Sequence, residues 1–188
     1  ADDHVLRAVV NGMEDSMIQN QVLSGKQHTL LKMVDCFLQQ DHNVAIFVNS
    51  LTFMKWLKQT IQNKHDLVVG TISGCVPCGD RQALLAAFNA KALRVLILTS
   101  RSSATGINLT CCARSIIAQG DWNSAIDDQA AARSHRLSSL VDTVVYRLIT
   151  RKSLEEAVYE TSLRKTTTNR ALLRSLRSVV TTTSTTTT

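Results

Sequence analysis

Leu30, Leu31, Val34, Phe37 and Leu38 recur at helical spacing, and after the polar break Asp41-His42-Asn43 the chain is wholly apolar from Val44 to Val48. A period near 3.6 followed by a short apolar run predicts an amphipathic helix and then a buried strand. The alternation repeats. Phe53, Trp56, Leu57 and Ile61 share one helical face, and a strand is predicted near Leu67 to Val69. Leu84, Leu85 and Phe88 mark another helix, and Val95-Leu96-Ile97-Leu98 is the next strand. A polar loop from Thr99 to Gly106 leads to a strand around Ser115 to Ala118, a helix from about Ala125 to Leu137 and a strand from Thr143 to Ile149. A last helix starts at Ser153, with Ser153 and Glu156 spaced as a capping box.

Apolar strands separated by amphipathic helices are what a parallel sheet covered on both faces requires, because each parallel crossover needs a helix-length connection. The predicted architecture is a three-layer α/β domain with a mainly parallel sheet flanked by helices. In such sheets ligands gather at the carboxyl ends of the strands. Asn49-Ser50, Gly70 to Gly74, Thr99 to Gly106 and Gln119 to Ser124 should therefore share one functional edge.

A chain of 188 residues, 44% of them hydrophobic, is long enough for one domain with a real core. No apolar run approaches the roughly 20 residues that span a bilayer, and the start lacks a signal-peptide pattern, so no membrane partner and an intracellular location are expected. The five cysteines are odd in number and are expected to be reduced thiols. Net charge is +6, and residues 147–177 alone hold eight Lys or Arg against three Glu. Such a block suits a polyanion, although a solvated helix face is the plainer reading.

The densest polar constellation is Asp127-Asp128-Gln129-Ala130-Ala131-Ala132-Arg133-Ser134-His135-Arg136. On a helix it brings Gln129, Arg133 and Arg136 onto one face. Paired guanidiniums that stay charged and grip phosphate oxygens in a fork are suited to a transferring phosphoryl group. Structural pairing with Asp127, Asp128 or other acids is the alternative reading of the same residues.

Further pieces precede and follow this motif. They are Ser24-Gly25-Lys26, Val44-Ala45-Ile46-Phe47, Asp80-Arg81-Gln82, Phe88-Asn89, Ser100-Arg101, Gly106-Ile107-Asn108-Leu109-Thr110, Asp121-Trp122-Asn123, Val145-Tyr146-Arg147-Leu148 and Leu154-Glu155-Glu156. In this order and spacing the chain, from about Leu23 to Glu156, resembles the C-terminal lobe of Swi/Snf-type remodelling ATPases of helicase superfamily two. The resemblance implies a RecA-like domain, the second lobe of a P-loop NTPase-type pair. It implies that Arg133 and Arg136 are arginine fingers, with Gln129 contacting the nucleotide or positioning them. Gly106 and Asn108 would join them on the nucleotide side.

The same resemblance assigns Asn49, Ser50, Arg81, Ser100, Arg101, Trp122 and Asn123 to contacts with DNA, and lets Gly106 and Asn108 couple strand to nucleotide. The cofactor would be ATP with Mg2+, held mainly by an N-terminal lobe of the same parent and not stably by this chain alone. The partners would be that lobe and double-stranded DNA or chromatin, and the location nuclear if the source is eukaryotic. Residues 1–22 would be a lead-in, 23–160 the lobe, 161–180 a basic helix and 181–188 a disordered threonine-rich tail.

The chain departs from the family in places. A phosphate-cradling loop would need Gly at 20 and Ser or Thr at 27, where Asn20 and Gln27 stand, so the ATP-holding lobe is expected upstream or on a partner. Ser103 and Ala104 replace two glycines, Cys75-Val76-Pro77 replaces small hydroxyl residues, and Leu137-Ser138-Ser139 replaces Ile-Gly-Gln. A degenerate lobe acting as a DNA-binding or protein-docking module is the competing function. Cys75-x-x-Cys78 lacks the second ligand pair of a zinc site, and no metal is assigned.

Overall fold

The computed structural model describes residues 23–102, 107, 109–121, 123, 125–129, 143–165, 167 and 168. Helix α1, Gly25–Gln39, begins where Ser24 and Gln27 cap each other. The Ser24 hydroxyl accepts from the Gln27 amide at 3.3 Å and the Gln27 side chain accepts from the Ser24 amide at 2.8 Å. This satisfies two amide donors that a helix start leaves open. Strand β1, Val44–Val48, follows, then α2, Leu51–His65. Asp66 ends α2 in the left-handed region at φ 48°.

The next strand, β2, runs over Val69–Ile72 rather than near 67–69. Leu67 and Val68 carry the chain out of the Asp66 turn, and Val68 is 71% exposed. Pairing with β3, Val95–Thr99, fixes the register from Val69 opposite Val95 to Ile72 opposite Leu98. Helix α3, Cys78–Asn89, joins these two strands. Strand β4 is Arg114–Ile117 and β5 is Val144–Arg147, each within a residue or two of its predicted span. Gly70, Thr71 and Ile72, expected in a loop, belong to β2, so the loop proper starts at Ser73.

The sheet order is β2-β3-β1-β4-β5, and every pairing is parallel. Alternation along the strands divides the core in two. Val44, Ile46 and Val48 of β1, Val95 and Ile97 of β3 and Ile116 of β4 face Leu30, Val34 and Phe37 of α1 and Leu57 and Ile61 of α2. Ala45, Phe47, Leu96, Leu98 and Ile117 face Phe88 of α3 together with Ile107, Leu109 and Cys112. Fully burying each of the Val, Leu, Ile and Phe side chains contributes about 1.5–3 kcal/mol. Three layers result, with the sheet between.

Arg114 is buried at the start of β4, its guanidinium 5.9 Å from the Phe37 ring centre and donating to the Ala113 carbonyl at 3.0 Å. Phe37 also stacks on Tyr146 of β5, centroid to centroid 5.2 Å.

The chain divides into two compact units, Ala1–Ile149 and Thr150–Thr188. In the second, a helix over residues 154–165 is capped at Ser153, whose hydroxyl accepts from the Glu155 amide at 3.2 Å. Glu156 accepts from the Lys152 amide at 2.6 Å, one residue before the position that the capping-box pattern predicts. No described helix is long and apolar enough to cross a membrane.

Candidate functional site

Because all five strands run the same way, the loops after β1, β2, β3 and β4 leave from one edge of the sheet. Asn49 and Ser50 follow β1 directly. The Ser50 hydroxyl caps α2, accepting from the Phe53 amide at 3.3 Å. Gln119, after β4, closes on this corner: its side-chain oxygen accepts from the backbone amides of both Asn49 and Ser50, each at 3.0 Å. The Asn49 carboxamide returns the contact, donating to the carbonyls of Gln119 at 3.3 Å and Gly120 at 3.0 Å.

Gly120 then passes close to Asp127. A Cβ on Gly120 would stand 3.2 Å from an Asp127 carboxylate oxygen, tighter than ordinary contact, so the missing side chain lets the two segments approach. Asp127 is only 4% exposed. Its carboxylate accepts from the Asp121 amide at 3.1 Å and lies 4.0 Å from Nε of Arg147 at the end of β5. Burial raises the Asp127 carboxyl above its usual range, against the lowering effects of the Asp121 amide and the Arg147 charge. Asp128 takes the other side of the same guanidinium at 3.3 Å. Arg147 is thus a partner to both acids that the sequence left open as partners for Arg133 and Arg136.

Asn123 caps the helical residues 125–129: its side chain accepts from the Ala125 amide at 3.2 Å, while its own amide donates to the Asp121 side chain at 3.0 Å. Gln129 stands exposed at the end of this described stretch, two residues beyond the buried Asp127. Arg133, His135 and Arg136 lie outside the described residues, as do Gly106, Asn108 and Trp122, the Ser103-Ala104 replacement, residues 1–22 and the tail 181–188.

After β3, the backbone amide of Ser100 donates to Val48 at 2.9 Å and the residue is 1% exposed, whereas Arg101 is exposed. Ser102 ties this loop to β2, its hydroxyl 2.8 Å from the Thr99 carbonyl and 3.2 Å from that of Ile72. Arg81 turns back on the loop after β2. Its guanidinium donates to the carbonyls of Val76 at 3.1 Å and of Ser73 and Gly74 at 3.3 Å.

Of the twelve predicted site residues, seven are described with their side chains, and the edge brings Asn49, Ser50 and Asn123 into one bonded neighbourhood with Gln119, Gly120 and Asp121. Gln119 and Ser102 were not singled out from the sequence. Their only signal there was membership of two polar loops, Thr99 to Gly106 and Gln119 to Ser124, that the sequence placed at the functional edge.

Cys75 and Cys78 are exposed free thiols, and Cys112 is buried, its thiol pushed up to about 11 chiefly by that burial. Among the described residues no three of His, Cys, Asp and Glu gather as a metal site would require.

A parallel sheet between helix layers, with polar loops and a capped helix start gathered at its carboxyl edge, defines a RecA-like lobe. The helicase conserved C-terminal domain matches residues 25–138, more than half of the chain, and this chain belongs to that family, in its Swi/Snf-type branch. It is 33% identical over 148 residues to Protein CHROMATIN REMODELING 8 of Arabidopsis thaliana, covering 78% of this chain. The chain spans only 12% of that relative's length. The C-terminal part of the Fun30 ATPase domain superposes with a TM-score of 0.69 at 24% identity, over 86% of this chain and 54% of that one. The Sulfolobus solfataricus SWI2/SNF2 ATPase core domain gives a TM-score of 0.65 at 24% identity, over 76% of this chain and 29% of that one. At that identity both likenesses speak to the fold alone.

Proposed function

We propose that this chain is the C-terminal lobe of a DNA-dependent ATPase that translocates along double-stranded DNA or chromatin, in the nucleus if the source is eukaryotic. Arg133 and Arg136 would act as arginine fingers on ATP and Mg2+ held by an N-terminal lobe, with Gln129, Gly106 and Asn108 beside the nucleotide. Asn49, Ser50, Arg81, Ser100, Arg101, Trp122 and Asn123 would form or support the contacts to the DNA backbone. The observation that carries this reading is the placement of exposed Gln129: it follows a carboxylate pinned by Asp121 and Arg147, on a helix start that leaves the same sheet edge as the Asn49-Ser50 loop.

Phosphoryl transfer needs positive charge at the developing phosphate oxygens, and a finger of this type supplies roughly 10³ to 10⁵ in rate. Backbone contacts fix register without reading sequence, so binding should tolerate any sequence and weaken steeply with salt. The test is DNA-stimulated ATP hydrolysis by the two-lobed parent, before and after Arg136→Ala. Turnover should fall by about 10³ or more, and an unchanged rate would remove the finger assignment.

One observation favours the second reading, a lobe that docks without driving hydrolysis. The Arg81 guanidinium is directed at three loop carbonyls, so a residue assigned to DNA contact serves the loop's own structure. A parent that binds DNA with steep salt dependence but turns over no ATP would establish that reading.

A further inference from the structure

A phosphate oxygen can only accept hydrogen bonds, so a DNA backbone contact needs donors that are free to give. At the Asn49-Ser50 corner the donors are already engaged. The two backbone amides converge on the side-chain oxygen of Gln119 at 3.0 Å each. Both hydrogens of the Asn49 carboxamide are directed to the carbonyls of Gln119 and Gly120. Only the Ser50 hydroxyl keeps its proton available, since there the oxygen accepts from Phe53.

Two successive amides closing on one oxygen is also the arrangement in which backbone takes an anionic oxygen. Gln119 therefore occupies the position that a phosphate would need, and the two cannot hold it together. The clasp lies in reach of solvent: Asn49 is exposed, and Gln119 and Ser50 are half-buried. Its far side is anchored, because Gly120 abuts the Asp127 carboxylate and the Asp121 amide donates to the same group.

We propose that Gln119 is a positioning residue that closes the Asn49-Ser50 corner in the absence of DNA and is displaced when a phosphate binds there. The inference rests on the reading of this edge as the DNA side. Displacement releases the loop after β4 from β1, and that loop leads directly into the residues carrying Asp127 and Gln129. Occupancy by DNA is thereby linked to the segment beside the nucleotide. A closed corner lowers apparent affinity by the fraction of molecules in which it is open, so opening it should tighten binding.

The experiment is a titration of the two-lobed parent with a fluorescently labelled DNA duplex of random sequence at low and at moderate salt, comparing Gln119→Ala with Gln119→Glu. The alanine removes the competing oxygen and should tighten DNA binding several-fold. The glutamate keeps an acceptor for both amides and adds a negative charge, so it should weaken binding several-fold, most strongly at low salt. A residue that merely supports the fold would weaken binding in the variant that loses the bonds and spare the one that keeps them. Thermal melting of both variants checks that each is folded, and the glutamate form, which retains the clasp, carries the test if the alanine form is unstable.

Equal affinities, or a loss in the alanine form, would overturn the proposal. DNA binding is measured without ATP, so unchanged ATP turnover in Arg136→Ala together with opposite shifts at Gln119 would sink the finger assignment and leave the clasp standing. A wild-type parent that binds no duplex would remove the DNA reading of the edge and the clasp with it.

Discussion

Ser50 sits where two demands meet, as an N-cap and as a candidate DNA contact, and substitution can separate them. Its hydroxyl accepts from the Phe53 amide at 3.3 Å, the long end for such a bond. Loss of an N-cap side chain costs about 0.5–2 kcal/mol, and the long bond places Ser50→Ala in the lower half, roughly 1–4 °C in melting temperature for a domain of this size. Ser50→Asp should behave oppositely. Aspartate is as good a cap as serine, and a negative charge at a helix start adds about 0.3–1 kcal/mol. Stability should hold or rise.

DNA binding should move the other way. A carboxylate about 4 Å from a phosphate costs roughly 1 kcal/mol in water, a fivefold loss of affinity that salt should erode. Urea denaturation of the lobe and duplex titration of the two-lobed parent read the two effects separately. If Ser50→Asp destabilises as much as Ser50→Ala, the hydroxyl does not act as a cap. If it is stable and binds DNA like the wild type, Ser50 does not face the phosphates.

Arg101→Ala should weaken duplex binding uniformly across sequences and lower the slope of log affinity against log salt by about 1, as expected for one phosphate contact; an unaltered slope assigns Arg101 to plain surface. Gly70→Ala places a Cβ 2.5 Å from Leu93 and 2.9 Å from Leu96, both buried side chains, and overpacking of this kind costs about 1–3 kcal/mol in urea denaturation. Addition of Leu93→Val should recover part of the loss, and no recovery would place the strain elsewhere. Burial raises the Asp127 carboxyl, so its contribution to stability is full below the usual Asp range and is lost as pH climbs through the raised value. Asp127→Asn keeps an acceptor for the Asp121 amide and should match or exceed wild-type stability at neutral pH. That advantage should vanish in acid, and a variant less stable at neutral pH would show that the Arg147 pairing outweighs burial.

The fold was legible because its signals are local. Apolar runs that alternate for most of the chain with helical periods leave few alternatives to a covered parallel sheet. The errors fell where charge or small residues masked a strand. Buried Arg114 opens β4 over the face of Phe37, and Gly70 and Thr71 give β2 a polar composition that only pairing with β3 reveals. The candidate site was legible as a set of loops at one edge but not as a set of bonds. Gln119 meets Asn49 across 70 positions of chain, and Arg81 reaches carbonyls whose direction depends on how the loop after β2 turns. Neither relation has a spacing that a sequence could display.

Those bonds bear on which candidate residues can act directly. Arg81, Asn49 and Asn123 each direct their side chains to the protein's own backbone, and Ser100 is enclosed beside Val48. Among the described residues, Arg101 and Gln129 combine exposure with side chains that no internal hydrogen bond engages. A buried or internally bonded group can reach a ligand only by giving up its present partner, which makes it a element of coupling; an exposed one can bind at no such cost. On the proposed function, the sheet edge would divide its labour: exposed Arg101 and Gln129 would touch DNA and nucleotide directly, while Asn49, Gln119 and Asp127 would form the linkage through which one contact alters the other.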